Sequence, residues 1–134
     1  MIEFLLLASI FWLGPGEPIP NNCGREAEII VTGCYFHDSH DIYISDNSRD
    51  KSVTLYHEYG HHLFIGHDGI DKLFNGDESV AKLFALHMSH IQRGERDRFA
   101  RLWPLEVNFF RTYCDPACEQ FILSVPVPEK TVIN

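Results

Sequence analysis

The stretch Thr54–His67, TLYHEYGHHLFIGH, carries four histidines and one glutamate in fourteen residues. His57 and His61 stand four apart, with Glu58 directly after the first. On a helix, positions i and i+4 lie one above the other on one face, so the two imidazoles converge on one point. Zinc accepts such nitrogen ligands at about 2.0–2.1 Å in a tetrahedron. Glu58 lies about 100° round the helix from His57. It therefore flanks the ion without ligating it, the position of a general base that activates a water at the metal. The letters HEYGH form the HExxH pattern. His62, five after His57, points off that face.

Outward from this centre, the flanking residues support a helix of about Asp50 to Ile65. Asp50 or Ser48 caps its start and Gly66 ends it. Val53, Tyr56, Gly60, Leu63 and Phe64 recur at helical spacing and form a core face. Gly60 costs such a helix about 1 kcal/mol relative to alanine. A glycine there makes sense where another backbone comes close.

The 134 residues, 45% hydrophobic and 22% charged, suit one domain with a modest core. A net charge of −8 repels nucleic-acid phosphates and anionic lipid. The only basic run, RGERDRFAR (Arg93–Arg101), is broken by acids and reads as a solvated helix face. These features argue against a nucleic-acid partner.

Residues 1–22 read as a leader and linker, and 23–134 as a single domain. The apolar run Phe4–Leu13 has ten residues, the length of a secretory h-region and too short for an ordinary membrane span. No basic n-region precedes it. The competing expectation is a buried first helix or strand in a cytoplasmic chain. Four cysteines, Cys23, Cys34, Cys114 and Cys118, are an even count that fits disulfides in an exported protein, with three pairings open.

Further along, EAEIIVTGCYFHDSHDIYISD predicts a hairpin. Ile29, Val31, Ile42 and Ile44 alternate in its strands and HDSHD supplies the turn, leaving His37 and His40 as solvent-exposed polar residues. The glycine-rich segment GHDGIDKLFNGD predicts a loop. DESVAKLFALHMSHIQ predicts a helix capped by Asp77, and ERDRFARLW with PLEVNFFRTYC a further helix pair with Pro104 at a helix start. The segment 121–134, with Pro126 and Pro128, reads as an extended tail.

Two histidines leave a catalytic zinc short of its usual third protein ligand. His67, ten after His57, is the third histidine of HExxHxxGxxH, a metzincin-like arrangement. That arrangement needs a glycine at the turn where this chain has Phe64. Glu78, seventeen after His61 at the start of the next helix, is the other candidate and gives a His-His-Glu set.

The letters around Glu78, ESVAKLFA, resemble the E-x-x-A-x-x-F-A signature of small gluzincin peptidases. GCYFHDSHDIYISD, TLYHEYGHHL and DESVAKLFA in that order resemble minigluzincin and ImmA/IrrE-type metallopeptidases over about Gly33 to Leu86. The resemblance implies an α+β, zincin-like domain. Its short antiparallel sheet would pack on the HExxH helix and on a second, glutamate-bearing helix, with further C-terminal helices beyond. It also implies one zinc ion on His57, His61 and Glu78, Glu58 as base, and a peptide or protein substrate. The gluzincin pattern usually has Asp or Asn four residues after the ligand glutamate, to orient a zinc histidine; this chain has Lys82 there. Another acceptor, Asp77 or a backbone carbonyl, is then needed.

Peptide hydrolysis also needs a donor to the developing oxyanion, for which Tyr113, His87, His90 and Tyr56 are candidates. The strand DIYISD offers itself as the cleft edge for an extended substrate. The competing expectation is a catalytically weak or inactive zinc-binding module with a structural or sensing role.

Overall fold

The computed structural model describes residues 8–20, 32–67 and 70–129. Strands β1 (Ser9–Trp12), β2 (Gly33–Phe36) and β3 (Asp41–Ile44) precede helices α1 (Lys51–Phe64), α2 (Ile70–Leu73), α3 (Asp77–Gln92), α4 (Arg96–Leu102), α5 (Pro104–Tyr113) and α6 (Pro116–Leu123). The result is a small α+β domain. Among the described residues, no helix is long and apolar enough to cross a membrane.

The sheet is mixed rather than antiparallel. Its order is β1-β3-β2, with β1 parallel to β3 and β2 antiparallel to it. The β2–β3 hairpin forms as its pattern predicts, although Ile29 and Val31 lie outside the described residues. β3 is the central strand. Its backbone is committed on both sides, so DIYISD cannot be the cleft edge; among the described strands that place belongs to β1 and β2. Part of the segment read as a leader, Ser9–Trp12, supplies the parallel strand.

Helix α1 starts where Asp50 accepts a hydrogen bond from the Val53 amide, and the chain leaves it through Gly66 at φ +73°. Helix α3 begins at Asp77, but the cap is Gly76 at φ +92° with no side-chain hydrogen bond, rather than Asp77 itself. The glycine-rich segment between them holds the short α2, whose Ile70 is buried.

α1 and α3 pack face to face and α1 also covers the sheet. Between the helices lies an aromatic cluster: the Phe64, Phe84 and Phe110 rings have centroids 5.3–5.5 Å apart. All three side chains are fully buried. Each contributes roughly 1.5–3 kcal/mol by burial, so this cluster is what fixes α5 against the α1–α3 pair.

The helical part runs further than expected at the C-terminal end. Asp115 caps α6 through the Cys118 amide, Pro116 sits in its first turn, and Cys114 is bonded to Cys118. Ile122, inside the segment read as tail, is a core residue. Extended chain begins only after Ser124, and there Val125 and Val127 pack on the core. Cys34 is also disulfide-bonded.

Candidate metal centre

Two close approaches build the site. The first is at Gly60. A Cβ added there would stand 2.8 Å from the Ala81 Cα and 3.3 Å from the Ala81 carbonyl oxygen. The backbones of α1 and α3 therefore touch at Gly60 and Ala81, as a mid-helix glycine suggests. Three residues before Gly60 is His57, and three before Ala81 is Glu78. Residues three apart are neighbours on a helix surface, so the crossing that joins the backbones also sets Glu78 opposite the histidine pair.

The second approach is at Gly33, where β2 begins. A Cβ there would meet the Thr54 methyl at 2.5 Å and Glu58 Oε2 at 3.0 Å. Only glycine lets α1 lie this near the strand. Glu58 is held between helix and sheet at 3% exposure, one residue round the helix from His57.

His57 Nε2 lies 2.8 Å from Glu78 Oε1, and His61 Nε2 lies 3.2 Å from Glu78 Oε2. The two imidazole rings are 4.9 Å apart and nearly perpendicular, at 76°. His57, His61 and Glu78 each offer a ligand atom within 4.8 Å of the others. The group can bind a metal ion. Ligand atoms at about 2.1 Å from a tetrahedral ion stand about 3.4 Å apart. The observed separations of 2.8 and 3.2 Å fall just inside that value, so an ion enters by a small widening. The histidines are 20% and 12% exposed and Glu78 47%, which places the opening on the Glu78 side.

The remaining candidates go elsewhere. His67 is outside this group; its ring packs on Tyr113 at 4.1 Å and on Phe109 at 5.3 Å. The turn after α1 uses Gly66 and leaves Phe64 in the core. His87 and His90 lie nine and twelve residues along α3 from Glu78, roughly 13 and 18 Å by helical rise. His87 is a core residue, 1% exposed, 3.4 Å from the buried Glu119 carboxylate. The His90 ring nitrogen Nδ1 bonds the Leu86 carbonyl at 2.7 Å. Tyr56 is buried, and burial, with Asp50 nearby, raises its pKa despite a Ser52 hydrogen bond. Of the nominated oxyanion donors only Tyr113 keeps an exposed side chain.

Lys82 is exposed and faces an apolar groove with Leu83, Leu86 and Trp103. The Asp77 oxygen Oδ1 is buried and makes no hydrogen bond, so it does not serve as the missing acceptor. A feature that sequence reading missed is the contact of His62 with the hairpin, where Tyr35 Oη lies 2.9 Å from His62 Nδ1. No family model matches the chain, and no curated protein or solved structure matches it at a significant level.

Proposed function

We propose that the protein is a zinc-dependent peptidase. The observation that carries this reading is the convergence of His57, His61 and Glu78 beside Glu58 on one helix crossing. Two imidazole nitrogens and a carboxylate with an open side are the donor set of catalytic zinc rather than of calcium or magnesium, which take oxygen ligands. Zinc, when bound, lowers the pKa of water toward 7 and polarises the carbonyl under attack. Glu58 accepts the proton of the attacking water and delivers it to the leaving amine. Its burial against Gly33 fixes the carboxylate in one place, so little reorganisation precedes the transfer. An extended peptide pairs with a strand edge beside α1, and β2 is the described edge that Glu58 touches.

A second reading is favoured by specific observations. Lys82 stands where gluzincins usually have Asp or Asn, Asp77 Oδ1 bonds neither histidine, and His87 and His90 are committed elsewhere. This combination suits a metal-binding module with weak or no catalysis. Zinc stoichiometry measured together with cleavage of a peptide library separates the two. Stoichiometric zinc with cleavage that disappears in Glu58→Gln supports the peptidase. Stoichiometric zinc without cleavage supports the module, and no zinc rejects both.

A further inference from the structure

The hairpin turn carries histidines that the proposed catalytic centre does not use. Tyr35 Oη lies 2.8 Å from His40 Nδ1 and 2.9 Å from His62 Nδ1. The His40 and His62 rings are 5.3 Å apart, and the His37 ring is 6.4 Å from His40. His40 has φ +58°, a left-handed conformation uncommon for any residue but glycine. His40 is exposed, as its place in the turn predicts, and its ring nitrogen still reaches the Tyr35 hydroxyl. Two imidazole nitrogens from distant parts of the chain are thus aimed at one phenol oxygen.

We propose that His40, His62 and Tyr35 form a second metal site, for a divalent first-row transition ion. Nitrogen and oxygen donors around such an ion at about 2.0–2.1 Å stand about 3.3 Å apart. The two nitrogen–oxygen separations of 2.8 and 2.9 Å open to that value by a few tenths of an ångström. The ion enters among the three donors and replaces the hydrogen bonds that now join them. On binding, the phenol proton leaves to solvent and the phenolate oxygen becomes the third ligand, as a coordinated ion favours. Each ligating imidazole carries its remaining proton on Nε2.

Asp38 and Asp41 flank the turn, and the net charge of −8 draws cations to it. Among divalent ions, copper(II) binds such donors most tightly, and zinc follows. The occupied site would clamp the β2–β3 turn to α1 one residue beyond His61.

Equilibrium dialysis against zinc, then against copper(II), with metal counted per chain, tests this on the full-length protein. Two ions per chain are expected. His40→Asn should reduce the count by one, since asparagine tolerates the left-handed backbone and keeps the turn folded. Copper(II) should give a phenolate-to-copper charge-transfer absorption that Tyr35→Phe abolishes. His61→Ala should remove a different ion and leave this absorption in place, so failure of the first centre is distinguishable from failure of the second. A second ion that persists in His40→Asn, or no ion outside the His57–His61–Glu78 group, would overturn the proposal.

Discussion

Replacing Gly60 by alanine tests the link between helix packing and the metal centre. In an isolated helix the change stabilises by about 1 kcal/mol. Here the new methyl would stand 2.8 Å from the Ala81 Cα and 3.3 Å from the Ala81 Cβ. Ordinary carbon–carbon contact is about 3.5–4.0 Å, so the helices must part by roughly 1 Å. The obstacle is backbone and cannot be relieved by a rotamer change. Overpacking of this kind costs up to about 3 kcal/mol. The net expectation is a loss of about 2 kcal/mol, the difference between those two figures. The same parting pulls Glu78 from His57 and His61, now 2.8 and 3.2 Å away. Ligand distances tolerate only about 0.2 Å, so zinc affinity should fall even in the folded fraction. Urea denaturation of the metal-free chain gives the stability change, and calorimetric zinc titration gives the affinity. A variant more stable than the parent, with unchanged zinc affinity, would refute the packing argument.

Glu58→Gln should abolish peptide hydrolysis and leave bound zinc at parent stoichiometry; loss of the metal would show that Glu58 is a ligand. Glu78→Ala should weaken zinc by more than the roughly 10–100-fold typical of outer-shell changes, and His67→Ala should leave it unchanged in the same titration. The opposite pattern would restore the His67 arrangement. Burial alone would raise Glu119, but hydrogen bonding and charge from His87 and Arg96 outweigh it and hold the carboxyl below its ordinary value of 4.5. A carboxyl lowered in the folded state stabilises the fold above its unfolded pKa and loses that contribution as pH falls through the folded one. Glu119→Gln should therefore cost about 1–3 kcal/mol at pH 7 and flatten the stability loss below about pH 4.5, as followed by urea midpoints against pH. An unaltered acid limb would remove Glu119 from the account. Truncation after Glu119 should unfold the C-terminal helix, because it deletes Ile122, which is 1% exposed. Retention of the parent helical signal and stability would refute that.

The histidine pair and its helix were legible because the information is local. A four-residue spacing, an Asp cap and a mid-helix glycine each act within one or two turns, and all three hold in the structure. Glu78 was reachable only through its neighbours in ESVAKLFA, and Ala81 in that run is the residue that Gly60 meets. The parallel strand was harder to read. Ser9 pairs with Asp41, 32 positions on (41 − 9), and the apolar run around it carries no alternation to separate strand from leader. Without β1, β3 looks like an edge. His40 is exposed, as the turn predicts, but its positive φ is one that histidine, unlike glycine, does not announce. The cap at Gly76 was hidden by the better-known capping residue beside it.

The parallel strand also orders events in time. The hairpin and the α1–α3 pair close short loops, whereas β1 must wait for a partner made 32 positions later (41 − 9). Until it arrives, one side of β3 offers unpaired amides and carbonyls from Ile42 and Ile44, residues that are fully buried in the finished fold. Such an edge pairs readily with a second chain. Any event that detaches β1 would reopen it, and the first symptom should be self-association through β3 rather than loss of helix.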